Sequence, residues 1–251
     1  MRGIHFATPT DIRKLGTILG VWAHPDDESV LAGGLMAAAA QNGQTVACIT
    51  ATRGENGSQD LVKWPLATLG KVREVELAKA LRALGITNHH WLGYPDGGCG
   101  AIPDQEAAGQ ILPLIEQYKP DTIVTFAPDG FSGHEDHKAA SRWADLAVQQ
   151  TAFKPKIYHC VTLNTEEGYQ AYFKVWDEKL NVYFNVDKPR LYKRAACDIV
   201  FRLPPDILDK KCQAIEAMPS QMEALRQVLG LDFIRQAFAE ECFIKARADH
   251  S

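Results

Sequence analysis

Long hydrophobic runs are missing from this chain of 251 residues. No window approaches the roughly 18 uninterrupted apolar residues of a membrane-spanning helix. The opening "MRGIHFATPTDIRKLG" also lacks the continuous apolar centre of a secretory signal, so the expected location is the cytoplasm. Runs of like charge are absent and the formal net charge is only -4, which gives no electrostatic reason to expect nucleic acid or an anionic membrane as partner. Cysteine is sparse and unpaired in pattern: six residues, none in a C-x-x-C, in a chain too long to need disulfide staples. They are expected to be buried small apolar residues, with Cys99 in "DGGCGAIP" the most exposed. No G-x-G-x-x-G follows the first apolar run, which argues against a dinucleotide-binding oxidoreductase. Neither an internal repeat nor a low-complexity tract is visible.

What is present alternates. Apolar runs at 15–23, 45–52, around "HHWLGY", in "DTIVTFAPDG" and in "PKIYHCVTL" read as strands. Between them lie helical patterns: "ESVLAGGLMAAAAQNG", 67–85, "QEAAGQILPLIEQYKP" and "EDHKAASRWADLAVQQ". Strands apolar throughout and separated by helices predict an α/β fold, a Rossmann-like, mostly parallel sheet flanked by helices. The expected organisation is one domain over 1–251, with a core at about 15–163. The remainder, about 164–251, reads as an extension of strand-like pieces ("KLNVYFNV", "ACDIVFRL"), a helix "PDILDKKCQAIEAM" and a helical tail that closes over the sheet.

Two loops are unusually polar. "AHPDDE" follows the first strand and "APDGFSGHEDHKAA" the fourth. In the common strand order 3-2-1-4-5 these two strands flank the crevice where open α/β sheets bind ligands. The order therefore brings His24, Asp26, Asp27, His134, Asp136 and His137 together across about a hundred residues of sequence. Two imidazoles and a carboxylate are a common catalytic zinc set, and His24, Asp27 and His137 are available for it. Asp26 is then free to act as general base, His134 to donate to a developing oxyanion, and Asp136 to orient a histidine. Ligand types alone also admit Fe2+.

With "TATRGENG" and the R-x-x-E-L of "REVELAKALRALG" between them, the two loops resemble the PIG-L/LmbE-like family of zinc-dependent N-deacetylases, which act on N-acetylglucosamine-type substrates. The matching order runs from about Ile18 to His137. The resemblance implies Zn2+ held by His24, Asp27 and His137, Asp26 as base, His134 as oxyanion stabiliser or acid, and Asp136 as its supporting carboxylate. It also implies that Arg73 contacts substrate. One departure is Met218 in "MPSQ", where relatives often have histidine.

Plainer readings stand beside these. Asp26 and Asp27 could cap the following helix, Arg73 could be an exposed helix charge, and Asp96 in "GYPDGG" could serve only the turn. Glu55 in "RGENG" and Asp96 lie on loops at the ligand end of the sheet and are candidates for substrate contact. His89 and His90 begin a strand and are expected to be structural. Trp64 either walls a sugar site or pins its loop. The leading expectation is removal of an N-acetyl group from a small-molecule amino sugar. The alternatives are an amidase cleaving a larger amide or thiol conjugate at the same metal, and a binding protein without turnover. Short apolar stretches in the extension allow a homo-oligomer.

Overall fold

The computed structural model describes residues 4–6, 8–163 and 190–246. After a short β1 (Ile4–Phe6), each of the five apolar runs forms a strand: β2 (Ile18–Trp22), β3 (Val46–Thr50), β4 (Asn88–Trp91), β5 (Thr122–Phe126) and β6 (Lys156–Leu163). They lie side by side as β4-β3-β2-β5-β6, all parallel, which is the expected 3-2-1-4-5 order. Every position of β2, β3 and β5 is buried. Their alternate side chains enter two separate cores. Ile18 and Trp22 meet Leu35, Met36 and Leu81 on one face, while Leu19 and Val21 meet Ile111, Ile115 and Trp143 on the other.

Those two cores are closed by the predicted helices, α1 (Asp27–Gln41), α2 (Leu66–Leu84), α3 (Asp104–Tyr118) and α5 (Glu135–Gln150), with a single turn α4 (Gly130–Gly133) ahead of the last. Each crossover helix hides one face of the sheet, so a strand in the middle has no solvent side and reads as a continuous apolar run. No described helix is long and apolar enough to cross a membrane.

The C-terminal region differs from expectation. "KLNVYFNV" lies outside the described residues. Beyond it come β7 (Leu191–Tyr192), β8 (Ile199–Arg202), α6 (Pro205–Glu216), α7 (Pro219–Leu229), α8 (Leu231–Ala237) and a final β9 (Glu240–Lys245). The tail is thus not all helix. β9 is inserted antiparallel between β6 and β8, and β1 pairs with β8 at the edge. The extension therefore continues the sheet as well as covering it. A six-residue strand that opens with Glu240 and Glu241 carries little apolar periodicity, and its pairing partners are all remote in sequence.

Glu241 explains why β9 sits where it does. Its carboxylate accepts from the amides of Gly34 and Leu35 in α1 and from Lys211 Nζ in α6, all at 2.7 Å. Gly34 makes the approach possible, since a Cβ there would stand 2.4 Å from Leu203 Cδ2. All six cysteines are buried. Cys99 is among them, contrary to expectation, because the glycine-rich turn folds into the second core rather than out to solvent.

Candidate metal centre and its cavity

Asp26 sits at the junction of β2 and α1 in a conformation that few residues other than glycine adopt, with φ 136° and ψ −31°. Such strain persists only where neighbours enforce it. Here the Asp26 amide donates to Glu28 Oε2 at 3.2 Å. Arg73, buried on α2, donates from Nη2 to Asp26 Oδ2 at 3.1 Å and to the Pro25 carbonyl at 2.6 Å, and from Nη1 to the Gly54 carbonyl at 2.9 Å. Arg73 is therefore no exposed helix charge: it lines the cavity and grips the Asp26 loop. Its helical neighbour Glu76 accepts from the Ser220 amide at 3.0 Å and from the Ser220 hydroxyl, tying α2 to α7. Met218 is buried at the start of α7, and Gln221 reaches the cavity and donates to the Gly57 carbonyl at 2.9 Å.

The second loop leaves β5 through the α4 turn. His134 caps the N-terminus of α5, its Nδ1 accepting the Asp136 amide at 3.1 Å. That bond leaves the ring proton of neutral His134 on Nε2, as a donor. One turn on, His137 stacks on Phe126 with ring centroids 4.1 Å apart, and its Nδ1 lies 2.9 Å from the Gly130 carbonyl.

The two loops meet as the strand order requires. His24 Nδ1 lies 3.1 Å from His137 Nε2 and 3.7 Å from Asp27 Oδ2, and His137 Nε2 lies 3.4 Å from Asp27 Oδ1. A tetrahedral cation with bonds of about 2.0–2.1 Å needs ligand atoms about 3.3 Å apart. The three side chains could therefore hold one with little movement. Two other sets of three also lie within 4.8 Å, His24 with His134 and His137, and His24 with Asp96 and Asp136. The latter meets at His24 Nε2, 3.1 Å from Asp96 Oδ1 and 3.2 Å from Asp136 Oδ2. A histidine that offers one nitrogen to a metal commonly donates the other N–H to a carboxylate, which fixes ring and tautomer. His24 has this arrangement, and His137 has its counterpart with a backbone carbonyl, that of Gly130, in place of the carboxylate.

Asp136 thus differs from its expected place. Its carboxylate supports His24, not His134, and is held by the amides of Gly97 at 2.7 Å and Cys99 at 3.0 Å. Asp96 faces the same imidazole, so it is more than a turn residue. Glu55 is set apart from the cavity, and its Oε1 accepts the Asp96 amide at 2.9 Å. Trp64 pins its loop through backbone bonds to Ser58 and Asp60. His89 and His90 bond Thr50 and Tyr118, as structural residues would.

Electrostatics fit a cation. Burial opposes a charge on His24, but the Asp136, Asp96 and Asp27 carboxylates outweigh it and lift the pKa to about 10. Burial would raise Asp96, yet the His24 bond brings it down to about 2. Burial and the neighbouring His24 and His134 push His137 well below its ordinary range, so its Nε2 stays an acceptor facing His24 Nδ1. A proton on His24 thus occupies the place a metal would take among buried carboxylates. Asp26 moves the other way. Burial lifts its carboxyl to about 7 against the pull of Arg73.

His24, Asp26, Asp27, Arg73, Asp96, His134 and His137 line one cavity of about 790 Å3. The family described as PIG-L, GlcNAc-PI de-N-acetylase, matches residues 19–148, the segment that carries both polar loops. The chain belongs to the PIG-L family.

A curated PIG-L relative, the 1D-myo-inositol 2-acetamido-2-deoxy-alpha-D-glucopyranoside deacetylase of Mycobacterium sp. (strain KMS), is 30% identical over 246 residues, covering 88% of this chain and 79% of its own. Among solved structures, N,N'-diacetylchitobiose deacetylase from Pyrococcus horikoshii superposes with a TM-score of 0.64 at 19% identity, over 96% of this chain and 87% of that one. The 4-carboxy-2-hydroxymuconate hydratase from Pseudomonas putida KT2440 gives 0.61 at 16%, over 94% and 98%. One fold thus serves two reaction types, and the chemistry must be read from the side chains.

Within this PIG-L site Asp136→Asn supplies a test. Its carboxylate has three donors, so an amide nitrogen in its place puts at least one donor against another. The expected result is metal affinity weaker by about 10–100-fold, as for other carboxylates that support a metal-bound histidine, measured by competition with a chelator. Unchanged affinity would show that His24 needs no such support.

Proposed function

We propose that this PIG-L member is a zinc-dependent hydrolase that removes the acetyl group from an N-acetylated amino sugar of the N-acetylglucosamine type. His24, Asp27 and His137 hold the metal. The observation that carries the reading is Asp26, a strained carboxylate with its pKa pushed up to about 7 beside that ligand set. A capping aspartate needs neither feature.

Zn2+ held there lowers the pKa of water and polarises a carbonyl. Asp26 accepts the proton of the attacking water, and the proton then passes to the departing amine. Arg73 keeps the Asp26 carboxylate aimed by holding both Oδ2 and the Pro25 carbonyl. His134 donates from Nε2 to the oxygen that gains charge at the tetrahedral stage, and the Asp136 amide on its Nδ1 fixes that tautomer. Asp136 and Asp96 hold the His24 ring. The mycobacterial relative, a deacetylase of an N-acetylated amino-sugar glycoside, supports the reading.

The experiment is acetate release from N-acetylated amino sugars by metal-stripped protein with and without added Zn2+. Zinc-dependent acetate is expected. Cleavage of larger amides without acetate would favour the amidase of thiol conjugates, and tight zinc binding without turnover would favour a binding protein. Fe2+ reconstitution in parallel identifies the metal that supports the higher rate.

A further inference from the structure

The cavity is larger than the reaction needs. At about 790 Å3 it lies toward the upper end of the ~300–1,000 Å3 that holds a drug-sized ligand, several times what one N-acetylated pyranose fills. Along its lining the groups of the metal centre are joined by an apolar wing made of Val30 and Leu31 of α1, Leu163 of β6, Met222 and Leu225 of α7, and Phe238 beyond α8. The last four of these lie outside the family-matched residues 19–148, so most of this wall is built by the C-terminal extension and not by the segment that carries the two polar loops.

The charged groups of the same wing largely cancel. Lys211 pairs with Glu241 at 2.7 Å, each side chain 1% exposed, and Arg194 pairs with Glu240 at 2.6 Å. Arg202, exposed at the end of β8, is the lining cation without a carboxylate partner among the described residues. Glu241 has its oxygens engaged by Lys211 and two backbone amides, so it offers little to sugar hydroxyls. A polyhydroxylated group placed here would exchange water for an apolar wall, at the cost of unmet hydrogen bonds.

Resting on the deacetylase reading above, we propose that this wing is a binding subsite for an apolar group of the substrate, so that the preferred substrate is an amphipathic N-acyl amino sugar. The apolar group is borne either on the anomeric oxygen, as an alkyl or aryl aglycone, or on the acyl carbon, as a longer chain. In both cases it runs from the metal centre toward Leu225 and Phe238.

The test is kcat/KM for the zinc-loaded full chain on two series. One is N-acetylglucosaminides with methyl, butyl, hexyl and phenyl aglycones, together with the inositol glycoside. The other is glucosamine N-acylated with acetyl, butanoyl and hexanoyl. A rise of up to about fourfold per added methylene is expected in one series, the worth of a buried CH2, and the series that rises identifies which group enters the wing. Phe238→Ala is expected to flatten that slope. Acetate release without a rise in either series, or with the inositol glycoside preferred, overturns the subsite while leaving the deacetylase reading in place. No carboxylate release from any member overturns that reading and the subsite with it.

Discussion

Asp26→Asn is expected to lower kcat by about a hundred- to ten-thousand-fold, the usual worth of a positioned general base, while zinc content stays at one per chain. The amide keeps the shape of the carboxylate and an oxygen for Arg73 Nη2, so the strained turn and the ligands beside it persist. What it loses is the ability to take a proton. The measurement is kcat with metal content determined on the same sample. Near-normal turnover in the zinc-loaded variant would remove Asp26 from the base role.

The pH profile gives the same proposal a second readout. A base works when deprotonated, so kcat/KM should rise with pH through the pKa of Asp26. Burial lifts that carboxyl to about 7 in the metal-free site, and Asp27 adds to the lift while Arg73 opposes it. A divalent cation next to Asp26 favours its charged form. The acidic limb of the loaded enzyme is therefore expected below about 7 and above the ordinary carboxylate value of 3.8, and it should vanish from the residual activity of Asp26→Asn. A limb that survives unchanged in the variant would belong to another group.

The site was legible because its ligands lie on two loops that leave adjacent parallel strands. The apolar runs and helical patterns indicate a doubly wound sheet, and if such a sheet takes the common order 3-2-1-4-5, "AHPDDE" and "GHEDH" meet. Periodicity supplied the elements and the usual order of such folds supplied their neighbours, an order the structure has. Other features left no such trace. Asp136 was expected beside His134, but its partners are His24 and the amides of Gly97 and Cys99. Backbone donors have no residue type, so nothing in "DGGCG" announces them. Glu55 and Asp96 looked alike as loop carboxylates, yet one faces the imidazole and the other braces the first. Glu28, completely buried and holding the Asp26 amide, was taken for a helix start. Its signal was a charged residue at a position the helix must bury. β9 was missed for the same reason as Asp136, because its place depends on contacts with remote segments.

Those remote contacts carry the second large effect, on stability. Glu241→Ala is expected to destabilise the fold by about 3–5 kcal/mol, the cost of breaking a buried ion pair from one side. For a chain of this length that corresponds to a fall of roughly 10 °C in Tm. The change strands the Lys211 ammonium, whose other contact is the ring of Phe238 at 5.3 Å, and it deprives the Gly34 and Leu35 amides of their carboxylate acceptor. Lys211→Met should cost less. It removes one donor from Glu241 but leaves the two backbone amides, which still solvate the charge. Lys211→Met combined with Glu241→Gln should recover part of the Glu241→Ala loss, since no unpaired charge is then buried and the amide oxygen still accepts from one of the two α1 amides, although its NH2 faces the other. Denaturant unfolding of the four proteins at one metal loading gives the order. If Glu241→Ala unfolds within about 0.5 kcal/mol of the parent, the range of ordinary surface substitutions, then β9 is not anchored to α1 through this carboxylate and the wall of the cavity is held by apolar packing alone.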